Sequence, residues 1–205
     1  MKTFATRIAL GLFIVGASLA ASKAANAQFT TYVRWQNAST PGGNLYFMGV
    51  AGGPSCSGNR CSYTSGTQII LWAWGQNDQN WYAPHPGVTE HVVNEFGSPV
   101  SGEGYCLHPS GSTNNSNLVI NPCTTGTIDN WTVKSAESLN PPAPFGGCFI
   151  FQNQLSGRVM AVYQGNVSVR GARVIEYDLC QPGSNVCGSP AGYHADQFWC
   201  PWNVQ

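Results

Sequence analysis

The sequence predicts an all-β domain of three related units stapled by disulfides, and three observations carry that expectation. Charged residues make up only 9% of the chain, so the Lys, Glu and Arg that favour long helices are scarce, while Gly, Asn, Ser, Thr and aromatics are abundant. A Trp preceded two residues earlier by Gln or Asp occurs three times, as Gln79-Asn80-Trp81, Asp129-Asn130-Trp131 and Gln197-Phe198-Trp199. Eight cysteines, an even number, lie beyond residue 50.

The first residues read as an export signal. Lys2 and Arg7 charge the start, Ile8 to Ala21 is nearly all apolar or small, and Ala25-Asn26-Ala27 offers small residues before Gln28. The apolar run is short for a membrane span, which needs about 20 residues. A signal at residues 1–27 leaves 178 residues, the size of one domain, with six basic residues against nine acidic ones and a net charge of −3. That balance, with no basic patch, argues against nucleic acid and anionic membrane surfaces as partners. The expected location is outside the cell, or the periplasm of a Gram-negative host, where disulfides persist. No CxxC and no Cys/His group with zinc spacing occurs, so neither a metal nor another cofactor is expected.

Each Trp closes a unit with two short strands upstream. The pairs are Leu45–Val50 with Gln68–Trp74, Tyr105–His108 with Leu118–Asn121, and Arg158–Tyr163 with Arg173–Tyr177. Gly66, Gly111 and Gly171 fall in the loops that split them. Units this small cannot each bury a face alone, so they must share one core. Trp81, Trp131 and Trp199 are accordingly read as core residues. A Trp buries a large area and needs only one partner for its N–H.

This layout resembles the ricin-B family, whose threefold repeat ends in Gln-x-Trp. The second unit carries the resemblance best, as Cys106-Leu107, Ile120-Asn121-Pro122-Cys123 and Asp129-Asn130-Trp131, with Asp129 where Gln is usual. The resemblance implies a single β-trefoil over residues 28–205, with repeats at about 29–82, 83–133 and 145–205. It also implies a disulfide between Cys106 and Cys123; the first unit has Phe47 and Trp74 at the matching places. The remaining pairs expected are Cys56 with Cys61, Cys180 with Cys187, and Cys148 with Cys200.

The family's sugar site combines an Asp after the first strand's Cys, an aromatic on the second strand, and a polar residue before the Gln. Carried over, the first unit offers Ile70, Trp72, Asp78 and Gln79, but Gly49 stands where the Asp belongs. The third offers Tyr177, Asp196 and Gln197, with Ile175 beside the aromatic and Ala161 at the Asp position. The second has His108, Asn121 and Ile128, and is expected to be inactive. The lost acceptor is replaceable by Asp78 or Asp196. The function implied is that of a lectin binding glycans or glycoconjugates at degenerate sites. The alternatives are a protein–protein binding module with a partner protein chain, such as the cell-binding subunit of a multi-chain toxin, or a secreted trefoil hydrolase inhibitor; the binding subunits of cytolethal distending toxins are also trefoils with degenerate sites.

No HExxH, Gly-x-Ser-x-Gly or phosphate-binding loop is present, so no catalysis is expected. His194 and Asp196 are read as parts of the loop before the third Gln-x-Trp, and Glu176 and Asp178 as strand-end residues. Asn37, Asn114, Asn130 and Asn166 each begin an N-x-Ser/Thr triplet.

If Cys106 and Cys123 form a structural bridge, the Cys106→Ala protein should lose roughly 2–5 kcal/mol of stability. Denaturant titration under oxidising conditions measures the loss. Peptide mapping of the intact protein should recover the two cysteines linked.

Overall fold

Strands here are short because Gly, Pro and Asn interrupt the apolar runs every few residues, and some of them, such as Tyr46–Val50 and Val159–Val162, are buried on both faces. The computed structural model describes residues 32–39, 46–57, 60–73, 77–96, 104–185, 187 and 192–203. The expected signal segment and Trp74 lie outside the described residues.

The first unit contains β1 (Val33–Asn37), β2 (Tyr46–Val50), the small hairpin β3 (Ser55–Ser57) and β4 (Arg60–Ser62), β5 (Thr67–Ala73) and β6 (Trp81–Tyr82). The second contains β7 (Thr89–His91), β8 (Val93–Asn94), β9 (Tyr105–Pro109), β10 (Leu118–Pro122) and β11 (Asn130–Ser135). The third contains β12 (Phe149–Asn153), β13 (Val159–Val162), β14 (Val174–Tyr177) and β15 (Trp199–Asn203). Strands expected at 45–50, 68–74, 105–108, 118–121, 158–163 and 173–177 are found within a residue or two of those bounds.

The sheet path runs β14-β13-β12-β15-β1-β2-β5-β10-β9-β8-β6, with β11 paired to β12 and β7. β1, β6, the successive strands β7 and β8, β11, β12 and β15 form the barrel wall. The hairpins β2–β5, β9–β10 and β13–β14 cap it and meet one another, β5 against β10 and single bridges joining β14 to both. Three equivalent units around one barrel constitute a β-trefoil.

The register makes the equivalence exact in residues. Phe47 faces Trp72, Cys106 faces Asn121, and Val159 faces Tyr177. One step on in alternation, Gly49 faces Ile70, His108 faces Val119, and Ala161 faces Ile175. The first-strand residue between these pairs faces inward, as Met48, Leu107 or Met160, all buried.

Trp81, Trp131 and Trp199 are fully buried in one cluster with these residues. Each indole N–H donates to the carbonyl of its own unit's inward residue: Trp81 to Met48 at 3.0 Å, Trp131 to Leu107 at 3.0 Å, and Trp199 to Met160 at 3.1 Å. The fourth strand of each unit is thereby tied to its hairpin, and the buried indole N–H is satisfied.

Three asparagines join unit to unit. Asn37, Asn94 and Asn153 end β1, β8 and β12 and are buried. The side-chain amide of Asn37 donates to the Asp196 carbonyl, that of Asn94 to the Asp78 carbonyl, and that of Asn153 to the Ile128 carbonyl, at 2.7–2.8 Å. Each side-chain oxygen accepts from the backbone N–H two residues on, at Ser39, Phe96 and Leu155. The chain of units therefore closes on itself, the third latching onto the first.

All four expected disulfides are present, Cys56–Cys61, Cys106–Cys123, Cys148–Cys200 and Cys180–Cys187. Cys56–Cys61 crosses the β3–β4 hairpin. Cys148–Cys200 fastens the start of β12 to β15 beside a satellite cluster around Phe198 and Ile150. No helix among the described residues is long and apolar enough to cross a membrane.

Trp131→Ala should cost roughly 3–5 kcal/mol, because it empties a large core volume and strands the Leu107 carbonyl. Urea unfolding followed by far-ultraviolet circular dichroism tests this. A variant as stable as the parent would remove Trp131 from the core.

Candidate functional site

Residues that the register makes equivalent have diverged, so each unit is built up separately. In the first, β5 turns Ile69 and Leu71 into the core and leaves Trp72 half-buried on the opposite face, while Ile70 on that face is itself buried and does not line the cavity. Trp72 is half-buried and shares a cavity of about 180 Å3 with Val50, Gly52, Gly53 and Asp78. A Cβ on Gly49 would lie 3.0 Å from the Asp78 Oδ2 and 3.2 Å from the Gln79 Cγ. The Asp78 carboxylate thus fills the space where a side chain at position 49 would begin. Its Oδ2 accepts from the Val50 N–H at 3.2 Å, and its buried Oδ1 has no protein partner. Burial pushes the Asp78 carboxyl above its ordinary value, against the Val50 N–H, its own N–H and the nearby Arg34 guanidinium, which pull it down.

The Trp72 ring is not free for a ligand on both faces. The Arg170 guanidinium, reaching across from the third unit, lies 3.7 Å from its centroid. Gln79 is fully buried, and its amide donates to the carbonyls of Trp72 at 3.1 Å and Ala73 at 2.9 Å. It fixes the chain after β5 and lies behind the cavity surface.

The second unit is closed by its own side chains. His108, at the Asp position, lies with Nδ1 2.6 Å from the Asp129 Oδ1. The other Asp129 oxygen accepts from the Thr124 N–H and hydroxyl, both at 2.7 Å. Burial alone would raise this carboxyl, but the bonds from His108 and Thr124 outweigh it and hold the group below its ordinary value. Asn121, in the aromatic's place, accepts from the Ser65 hydroxyl at 2.6 Å and the Gly66 N–H at 2.8 Å. His108, Asp129 and Asn121 are each already bonded within the protein.

In the third unit Tyr177, Ile175 and Ala161 line a cavity of about 440 Å3, with Asp196 and His194 on the facing turn. Asp196 sits in a single 3-10 turn, Ala195–Gln197, whose backbone Asn37 holds from the first unit. Burial raises the Asp196 carboxyl, while His194 and its own N–H pull it down. Gln197 is buried beneath, accepting from the Cys180 N–H at 2.8 Å and donating to the Asp178 carbonyl at 2.9 Å. The Cys180–Cys187 bridge forms part of the wall.

The structure therefore brings Trp72 and Asp78 to one cavity and Tyr177, Asp196 and Gln197 to another, with Gln79 behind the first. Glu176 is the penultimate residue of β14, near the strand end as expected. It is buried within β14 and accepts from the Ser156 hydroxyl at 2.7 Å. It stands where the other units have Leu71 and Ile120, as the pairing register shows. Asp178 lies just past β14 and binds Asn114 and Arg158. Asn37 and Asn94, which position the backbone of the two site aspartates, escaped the sequence reading. Their signal was an Asn two residues after a buried apolar residue in each unit, in Trp35-Gln36-Asn37, Val92-Val93-Asn94 and Phe151-Gln152-Asn153.

Two groups of ligand-type atoms, His91 with Cys106 and Cys123, and His194 with Cys180 and Cys187, lie within metal-binding distance. Their sulfurs are disulfide-bonded and offer no thiolate.

No family model and no curated protein matches the sequence. Solved structures match its fold. The designed threefold-symmetric protein ThreeFoil superposes with a TM-score of 0.58 at 16% identity, over 84% of this chain and 99% of that one. The C-half of the earthworm R-type lectin, in complex with GalNAc, gives 0.51 at 11% identity, over 83% and 97%. An exo-β-1,3-galactanase from Clostridium thermocellum gives 0.56 at 17% identity, over 85% of this chain but 30% of that one. The protein has the β-trefoil fold, and likenesses this distant speak for the fold alone.

If the Asp78 carboxylate fills the Gly49 gap, Gly49→Ala should destabilise the protein by about 1–3 kcal/mol through overpacking. Asp78→Ser should relieve part of that cost. A double-mutant cycle measured by denaturation should show a coupling above about 0.5 kcal/mol. Additive effects would place the carboxylate elsewhere.

Proposed function

We propose that this chain is an exported, non-catalytic glycan-binding protein whose principal site is the third unit's cavity. The observation that carries the reading is the repeated relocation of the acceptor. Where the first strand has lost its Asp to a small residue, at Gly49 and Ala161, a carboxylate from the turn before the Trp borders the same cavity as the second-strand aromatic. A carboxylate accepts bonds from vicinal hydroxyls, and an aromatic ring covers the C–H face of a pyranose.

The third unit is favoured because its cavity is the larger and the first unit's Trp72 carries Arg170 on one face. Among the described residues lining the larger cavity, Asp196 is the one carboxylate. Glycoside hydrolysis generally employs two. That supports binding without turnover. The first unit then serves as a second, weaker site that opens when Arg170 moves aside.

A glycan array followed by calorimetric titration tests the reading. Tyr177→Ala should weaken binding at least tenfold, a large share of the roughly 4 kcal/mol that a millimolar site possesses. Trp72→Ala should affect only a second, weaker transition, and Asn121→Ala should leave affinity unchanged. The binding form of Asp196 is the ionised one, and its carboxyl lies above 3.8, so affinity should fall on acidification at a higher pH than an ordinary Asp would give. Asp196→Asn should flatten that profile. Binding that survives Tyr177→Ala would overturn the assignment of the site.

A further inference from the structure

Resting on the reading of the third unit's cavity as a sugar site, we infer that this cavity holds a disaccharide. One ring lies at Tyr177 and Asp196, and the next lies against the side chains of Gln164 and Asn115.

Size is the first indication. The first unit's cavity, with an aromatic and a carboxylate of the same origin, measures about 180 Å3, and the third unit's measures about 440 Å3. Besides Tyr177 and Asp196, the larger cavity is lined by Tyr163, Gln164, Gly165 and Asn115, of which Asn115 comes from the neighbouring unit.

Backbone conformation is the second. Among the described residues, Asn115 (φ 68°) and Gln164 (φ 52°) are the non-glycine residues in the left-handed region. Both line this one cavity. Asn visits that region with little penalty, but Gln does not. The equivalence of Gly49 with Ala161 makes Gly52 the counterpart of Gln164 three residues on, and Gly52 has φ 75°. The first unit meets the same turn geometry with glycine, and the third places a strained residue with an amide side chain there. Strain of this kind is retained where the side chain is needed.

The third indication is rigidity. Asn115 belongs to the second unit, in the loop between β9 and β10, and its N–H donates to the Glu176 carbonyl at 2.9 Å. Its neighbour Asn114 donates to the Asp178 carboxylate at 2.8 Å and accepts from Arg158 at 2.9 Å and from the Asp178 N–H at 2.9 Å. Arg158 also donates to the Ser112 carbonyl. On the opposite wall the Arg173 guanidinium lies 3.9 Å from the centroid of the Tyr163 ring, whose hydroxyl meets the Gln164 amide at 3.2 Å. Both walls are held before a ligand arrives, which limits the ordering cost of binding. Two neutral amides suit hydroxyl or acetamido groups, each offering a donor and an acceptor. With Asp196 the cavity's carboxylate, the occupant is a neutral glycan end.

Calorimetric titration of galactose, lactose, glucose and cellobiose into the full mature chain tests this. The parent should bind one disaccharide at least fivefold more tightly than the monosaccharide that ends it. Gln164→Gly and Asn115→Gly keep the left-handed backbone and remove the amides. Each should reduce the disaccharide's affinity toward the monosaccharide's and leave the latter unchanged. Equal affinities for mono- and disaccharide in the parent overturn the second subsite, as do equal losses for both sugars in the variants. If Tyr177→Ala still abolishes monosaccharide binding in that case, the sugar site stands without its extension. Binding indifferent to Tyr177→Ala, or binding of none of the four sugars at millimolar concentration, overturns both.

Discussion

The bond from each repeat's indole N–H to the carbonyl of Met48, Leu107 or Met160 is the constraint on which the rest of the molecule depends. It places the fourth strand of a unit under its own hairpin and fills the barrel centre with three Trp rings. Because the carbonyl belongs to the residue just before Gly49, His108 or Ala161, the same bond fixes how that position meets the turn preceding the Trp. Core packing and site geometry are set by one contact, and neither can shift without the other.

A second ring of bonds distributes that order around the molecule. Asn37, Asn94 and Asn153 each hold the turn of the preceding unit. Two of these turns carry Asp196 and Asp78. The first unit therefore holds the carboxylate of the third, and the second holds that of the first. A site in such a trefoil is shared between units even when its name residues all come from one.

Threefold symmetry also explains how the units diverged. With the scaffold bonds repeated in every unit, the positions around them are free to change. The second unit closed its site with the His108–Asp129 pair and tied Asn121 to the neighbouring hairpin. The first covered its aromatic with Arg170. The third exchanged a core aliphatic for Glu176, whose carboxyl burial raises above its ordinary value. That group retains a proton more readily in the folded chain, so its share of stability is greatest below about pH 4.5 and declines as pH rises through the raised value. Asp129 has the opposite sign, contributing above its ordinary value and losing that contribution on acidification.

The strands, the three Trp positions and the four cysteine pairs were legible in the sequence because each leaves a local mark: alternation, a repeated dipeptide spacing, or cysteines placed as the ricin-B resemblance and exclusion require. Trp72, Asp78, Tyr177 and Asp196 were legible as candidates for the same reason, and the structure brings them to two cavities. What tertiary structure alone decided is which sites are open and what borders them. Arg170 meets Trp72 across 98 positions, and Asn115 lines a cavity whose aromatic is Tyr177. The seating of Asp78 in the Gly49 gap depends on the sheet register and the approach of a turn. Contacts between distant segments have no period and no spacing, so a linear sequence holds the residues without showing that they meet.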